Sequence, residues 1–74
     1  MKSLNICIEK EDYKVVQPID TINLYKIANS KGLFEITRNK HNGKWKVLIQ
    51  SNLSVKLPLT PIGKAIESQL GILN

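Results

Sequence analysis

The residues best suited to chemistry in this chain lie close together, around one Asn-Gly pair. The stretch RNKHNGKWKV, residues 38–47, contains the only histidine and the only tryptophan of the sequence. It also contains four basic residues, Arg38, Lys40, Lys44 and Lys46. Cations displace counterions when they contact phosphates, and an aromatic ring can stack on a base. The stretch therefore predicts a surface that binds nucleic acid.

Basic residues further along the chain extend this prediction. The full set of expected nucleic-acid-binding residues is Arg38, Lys40, His41, Lys44, Lys46, Lys56 and Lys64. A small regulatory protein that binds DNA or RNA through a cationic β-hairpin is the first function hypothesis. The same residues also have a structural interpretation, in which Trp45 belongs to the core and the lysines form its solvated rim.

His41 is a candidate for catalysis because it is the only imidazole in the chain. A histidine beside lysines can act as a general acid or base in RNA cleavage while the lysines stabilise the phosphate charge. Paired acid–base chemistry needs a second group, and a histidine beside a turn is more often an ordinary polar residue. An RNA-cleaving toxin is therefore the third function hypothesis, and no residue is assigned a catalytic role.

Other kinds of site lack the residues they need. The single cysteine, Cys7, has no partner for an internal disulfide, which fits a reducing compartment. One cysteine, one histidine and scattered carboxylates do not have the spacing of metal ligands. There is no phosphate-binding glycine loop of the nucleotide-binding families. We expect no metal and no cofactor.

The charge of the chain is unevenly distributed along its 74 residues, which are expected to form a single domain, 1–74. The net charge is +5. Residues 1–37 contain five lysines and five acids, whereas residues 38–74 contain six basic residues and Glu67 as the only acid. Such asymmetry favours a polyanionic partner, although a moderate net charge also simply keeps a small domain soluble.

The hydropathy of the chain predicts a soluble, cytoplasmic protein. No stretch approaches the roughly 18 apolar residues of a membrane span. The first twelve residues reach acidic side chains too early to form the apolar core of a secretory signal.

The first half of the chain predicts a hairpin followed by a helix. Leu4, Ile6 and Ile8 alternate with polar residues, which is typical of a half-buried strand, and YKVVQ forms its partner after the turn EKED. Residues 21–31 have apolar side chains at helical spacing. Asp20 is expected to cap this helix, and Gly32 to end it.

The second half predicts a hairpin, a strand and a helix. A two-residue Asn42-Gly43 turn would place Arg38 opposite Val47. The core face of this hairpin is then expected to contain Phe34, Ile36, Trp45, Val47 and Ile49, whereas a three-residue loop would shift the register. Residues 53–57 alternate as another strand. A second helix is expected from an N-cap at Thr60 to a stop at Gly71, and Gly63 would weaken it or allow a neighbour to come close.

Together these elements predict an α+β fold with the order ββαβββα. Its small antiparallel sheet of three to five strands would have both helices on one face and leave the other face open. An open sheet face or an edge strand can bind another protein, so an adaptor or inhibitor module is the second function hypothesis. Edge strands also favour a homodimer.

The segment LPLTPIGKAIESQL resembles the part of winged-helix DNA-binding regulators that follows the wing. Leu59, Thr60, Pro61, Gly63 and Lys64 match that pattern. The resemblance implies that residues 23–31 form a recognition helix in the major groove. It also implies that Arg38, Lys40 and Lys44 contact the DNA backbone.

The αβββα order expected for residues 20–73 is also similar to the double-stranded-RNA-binding fold. Small mRNA-cleaving toxins of that fold place a histidine after the first strand, as His41 is placed here. They commonly end in glycine and an apolar residue, like Gly71-Ile72. This chain departs from them at Asn39-Lys40, where they have Gly-Ser. The resemblance implies binding or cleavage of RNA.

Overall fold

The computed structural model describes residues 1–71, so the Gly71-Ile72 end lies partly outside the described residues. Five strands form one antiparallel sheet in sequence order, and a helix follows them. The elements are β1 Lys2–Ile8, β2 Glu11–Gln17, β3 Leu24–Asn29, β4 Gly32–Arg38, β5 Trp45–Gln50 and α1 Leu59–Leu70. Within the described part of the chain, α1 is the only helix, and it is too short to cross a membrane.

The predicted order ββαβββα and the second helix on the sheet are wrong, because residues 21–31 form a turn and β3 rather than a helix. Tyr25 and Ile27 alternate with exposed Lys26 and are fully buried on one side of the sheet. Tyr25 and Ile27 pair with Ile36 and Phe34 of β4, and β2 pairs with the opposite edge of β3. Pairing along both edges of β3 therefore outweighs the helical preference that the narrow apolar stripe indicates.

The residues expected to cap that helix have other roles. Asp20 forms an ion pair with the amino group of Met1, at 3.2 Å. Gly32 begins β4 with a φ of 147°, which only glycine adopts without strain, and a Cβ there would lie 2.6 Å from Oγ of Ser51.

Both family resemblances require a helix that the chain does not form. The recognition helix implied for residues 23–31 is β3, and no helix precedes the β4–β5 hairpin among residues 1–71. The winged-helix and double-stranded-RNA-binding expectations for the fold are therefore wrong.

The first hairpin is confirmed. β1 and β2 pair along their whole length, from Lys2 opposite Gln17 to Ile8 opposite Glu11. Glu9 and Lys10 form the two-residue turn, and both have positive φ, at 52° and 67°. This is the backbone sign pattern of a type I′ turn, here formed without glycine or asparagine.

The β4–β5 hairpin has a longer loop than the Asn42-Gly43 pair predicts. Arg38 pairs with Trp45, so residues 39–44 connect the strands. The predicted position of Arg38 opposite Val47 is therefore wrong.

A bulge then changes which side chains of β5 face the core. Ile36 pairs with Val47, but the next pair is Glu35 with Ile49, because β5 carries one extra residue there. The predicted core face is correct for the other four apolar residues but wrong for Ile49, which is 60% exposed on the opposite side of the sheet.

The segment between β5 and α1 is irregular, so the strand predicted at 53–57 does not form. Gln50 holds this segment in place by donating side-chain hydrogen bonds to the carbonyls of Asn52 and Val55. Buried Leu57 anchors its end in the core.

The predicted C-terminal helix is confirmed, with a different start. Pro58 is the N-cap and has no side-chain capping bond, so Thr60 is not the cap. Gly71 ends the helix in the left-handed conformation, as predicted, and its N–H donates to the carbonyl of Glu67.

The core lies between one face of the sheet and α1. Ile62 and Ile66 of α1 are fully buried against a layer of strand side chains that includes Val15 and Tyr25. The helix makes contacts with both β1 and β5, the two edge strands. The opposite sheet face carries no helix from the described part of the chain, as predicted.

Candidate nucleic-acid interface

Arg38 lies between the sheet and the helix. It is only 5% exposed, and its Nε donates a hydrogen bond to Oε2 of Glu67 at 3.0 Å. Arg38 therefore differs from the exposed lysines with which the sequence grouped it, although it lines the same depression as Lys44 and Lys46.

Glu67 joins the helix to the hairpin through a single carboxylate oxygen. Oε2 accepts the bond from Arg38 and a second bond from Nε1 of Trp45 at 3.1 Å. The bond from Arg38, followed by that from Trp45, lowers the pKa of Glu67 below its ordinary value. Glu67 is therefore held in its ionised form at neutral pH.

Trp45 packs against the core, which confirms the structural interpretation of this residue. Its ring lies 5.2 Å from that of Tyr25, centroid to centroid, at an angle of 54°. On its other side the indole touches the helix backbone at Gly63, where a Cβ would be only 2.5 Å from Cδ1 and Nε1. The close approach expected at Gly63 is thus confirmed.

Lys44 and Lys64 share a surface depression of about 340 Å³ beside Trp45. Lys44 comes from the hairpin loop and Lys64 from the second turn of α1. The contact of Trp45 with Gly63 brings these two elements together. The depression therefore depends on the same packing that holds the helix to the sheet.

Lys44 also lines a second depression, of about 360 Å³, together with Lys46. Its position is set by the loop itself, because Oδ1 of Asn42 accepts the backbone N–H of Lys44 at 2.9 Å. Oδ1 of Asn39 accepts the N–H of His41 at 2.8 Å. Short side-chain-to-backbone bonds of this kind order a turn. We refer to Lys44, Lys46 and Lys64 as the lysine cluster.

The remaining predicted site residues lie outside this cluster. Lys40 and His41 are exposed on the same loop and line neither depression. Lys56 is exposed on the segment that leads to α1.

The carboxylates of the chain are mostly occupied by other cations. The ion pairs are Met1–Asp20, Lys26–Glu35, Lys31–Glu11 and Arg38–Glu67. Among residues 1–71, no ion pair involves the lysine cluster, Lys40 or Lys56. Lys64 is close enough to Glu67 to contribute a small further lowering of its pKa. Within residues 38–71, the excess positive charge therefore lies on exposed lysines that form no ion pair with a described residue.

Sequence reasoning did not assign Glu67 to the site and noted it as the single acid of residues 38–74. Its spacing gives a signal that could have identified it. Glu67 follows Gly63 by four residues and so lies on the same helix face. It is also the only acid in residues 38–74, the half that contains the only arginine.

The part of the chain that the structure describes has no group of three metal-ligating side chains. No protein-family model, curated protein or solved structure matches this chain.

Proposed function

We propose that this protein binds the phosphate backbone of nucleic acid through the lysine cluster, in a regulatory rather than a catalytic role. The observation that supports this is the position of Lys44, which lines one depression with Lys64 and another with Lys46. Lys44 of the loop thus lies between Lys46 of the strand and Lys64 of the helix. The carboxylate of Glu67, which lines the first of these depressions, is engaged by Arg38 and Trp45.

The cluster is suited to phosphates rather than to bases. The side chains of Asn39 and Asn42 form hydrogen bonds within the loop, and Trp45 is packed against the core. The Oδ1 atoms of both asparagines and the indole, which could otherwise read or stack a base, are thus already engaged. Binding through lysines alone is strongly salt-dependent and has little sequence preference. Lys40, His41 and Lys56 would add weaker contacts at the periphery.

A salt-dependent titration tests this proposal. Fluorescence anisotropy is measured with labelled single- and double-stranded DNA and RNA at several salt concentrations. The variant carries Lys44→Gln, Lys46→Gln and Lys64→Gln. We expect weaker binding at every salt concentration. The slope of log K against log salt should fall by about two to three units, because each lost phosphate contact removes about 0.7–0.9.

A second variant controls for net charge. Lys2→Gln, Lys10→Gln and Lys31→Gln remove the same charge from exposed positions outside the cluster. Its salt slope should stay close to that of the unchanged protein. Equal losses in the two variants would show that only net charge matters, and a wild-type protein that binds none of the four nucleic acids would overturn the proposal.

A further inference from the structure

The face of the sheet opposite α1 contains a shallow apolar groove of about 390 Å³. Val16, Ala28, Leu33 and Ile49 line it, from four successive strands. Leu33 is 63% exposed and Ile49 is 60% exposed, although both are large apolar side chains. Exposed apolar residues that adjoin one another mark an interaction surface more often than isolated ones do.

The bulge in β5 is what places Ile49 in this groove. Strict alternation after Trp45 and Val47 would direct Ile49 into the core. The extra residue re-aims it to the open face, opposite Glu35. Bulges commonly redirect a side chain in this way. The bulge thus exposes Ile49, an apolar residue that regular alternation would have buried in the core.

Charge on the central strands of this face is balanced. The register places Asp12 and Lys14 of β2 on the open side, together with Lys26 of β3 and Glu35 of β4. Of these, Lys14, Lys26 and Glu35 line the groove, and Asp12 lies outside its lining. Lys46 also lies on this face outside the lining, so the strands of the open face carry three cations and two anions in a chain whose net charge is +5.

We propose that this open face binds the same face of a second copy of the chain. A two-fold interface presents one patch to itself, so a patch that carries charges of both signs can be complementary to its own copy. In this arrangement Lys26 of each copy faces Glu35 of the other, and Leu33 and Ile49 fill the opposing groove. The central strands of this face carry no net positive charge, so they do not attract a polyanion or a strongly acidic protein electrostatically.

The area of the sheet is sufficient for such a dimer, although only just. Five strands of six or seven residues cover roughly 20 × 20 Å at the usual strand and residue spacings. Packing two such faces buries on the order of 1,000 Å² in total, at the lower bound for a specific interface. The dimer should therefore be in concentration-dependent equilibrium with the monomer. It forms without nucleic acid, so it does not depend on the proposed function.

Sedimentation velocity on nucleic-acid-free protein over a wide concentration range tests the dimer. The wild-type chain should shift from monomer to dimer as its concentration rises. A Leu33→Glu, Ile49→Glu variant should dimerise about tenfold more weakly, or not at all, because it places charges at the centre of the interface. Both positions are already exposed in the single chain, so the circular dichroism of the dilute variant should be unchanged.

Leu53→Glu is the matched control, because Leu53 is 86% exposed and lies outside the groove. It should dimerise like the wild type. A wild-type chain that stays monomeric at every concentration would overturn the proposal. So would a Leu33→Glu, Ile49→Glu variant that dimerises as well as the control.

A charge exchange tests the two-fold arrangement itself. Lys26→Glu and Glu35→Lys should each weaken dimerisation, since each sets like charges opposite one another. An equal mixture of the two variants should restore it, because position 26 of one then faces an opposite charge at position 35 of the other. Failure of the mixture to dimerise would exclude this arrangement.

Discussion

Arg38 of β4 donates a hydrogen bond from Nε to Oε2 of Glu67 in α1, across 3.0 Å and 29 residues of sequence. The Arg38 side chain is 4% exposed and that of Glu67 is 28% exposed, so the ion pair is largely screened from water. The same oxygen accepts the indole N–H of Trp45. One ionised carboxylate therefore joins two residues of the hairpin to the helix.

Replacement of Glu67 by glutamine should destabilise the fold. The variant keeps the size of the side chain but replaces the carboxylate that pairs with the nearly buried Arg38 by a neutral amide. We expect the free energy of unfolding to fall by about 1–3 kcal/mol, the usual range for a charged hydrogen-bonding partner lost from a partly buried site. Urea denaturation followed by tryptophan fluorescence measures it.

Glu35→Gln is the matched control for this substitution. Glu35 pairs with Lys26 at 3.8 Å, and the Lys26 side chain is 59% exposed. Such surface pairs contribute less than about 1 kcal/mol. Equal losses in the two variants, measured in dilute protein, would contradict the special role of Glu67.

Acid should remove the contribution of Glu67. Its pKa in the folded chain is below the ordinary value of 4.5, first because of the hydrogen bond from Arg38 and then because of that from Trp45. A carboxyl group with a lowered pKa stabilises the fold fully above its unfolded value, and this stabilisation is lost as the pH falls through the folded value. The stability difference between the wild type and Glu67→Gln should therefore narrow below a pH of 4.5. Urea midpoints measured from neutral to acidic pH would show this, and a constant difference would contradict it.

Gly63→Ala should destabilise the protein, although alanine is the better helix former by about 1 kcal/mol. The new Cβ would lie 2.5 Å from two atoms of the Trp45 ring. That ring is held by Tyr25 and Glu67, so it cannot move without losing contacts. Overpacking of this kind typically costs about 1–3 kcal/mol.

The measurement for Gly63→Ala is again urea denaturation, together with the emission maximum of Trp45. Ser68→Ala is the control, because Ser68 is exposed on the same helix and alanine there should be neutral or mildly stabilising. If Gly63→Ala were as stable as Ser68→Ala, the indole of Trp45 would have moved to accommodate the new Cβ at no measurable cost, which would contradict the prediction.

The features that the sequence predicted correctly are local ones. Alternation in β1 and β2 predicts the first hairpin, and Gly71 marks the helix end. Residues 21–31 fit two periods at once, since Leu24, Ile27 and Ala28 have helical spacing while Tyr25 and Ile27 have strand spacing. Pairing with Ile36 and Phe34 of β4 selects the strand over the helix for this segment. Local propensity does not contain that information.

The candidate site was predictable in composition but not in arrangement. The basic residues of the hairpin are plain in the sequence, yet Arg38 faces inward while Lys44 and Lys46 are exposed. Which residues meet depends on the loop length and on the bulge, and each of these can move a strand by one position. A shift of one residue exchanges the two faces of a strand. The partner of Arg38 lies in a helix whose position follows only from the complete sheet.

The turn between β1 and β2 offers a stabilising double substitution. Glu9 and Lys10 adopt φ values of 52° and 67°, which cost an ordinary side chain roughly 1–2 kcal/mol per residue. The double variant Glu9→Asn, Lys10→Gly would suit a type I′ turn without changing the net charge. We expect the free energy of unfolding to rise by about 1–2 kcal/mol in urea denaturation. The control variant Ser30→Asn, Lys31→Gly puts the same pair where φ is not positive, and it should give no gain. Equal gains at the two turns would contradict a backbone origin of the effect.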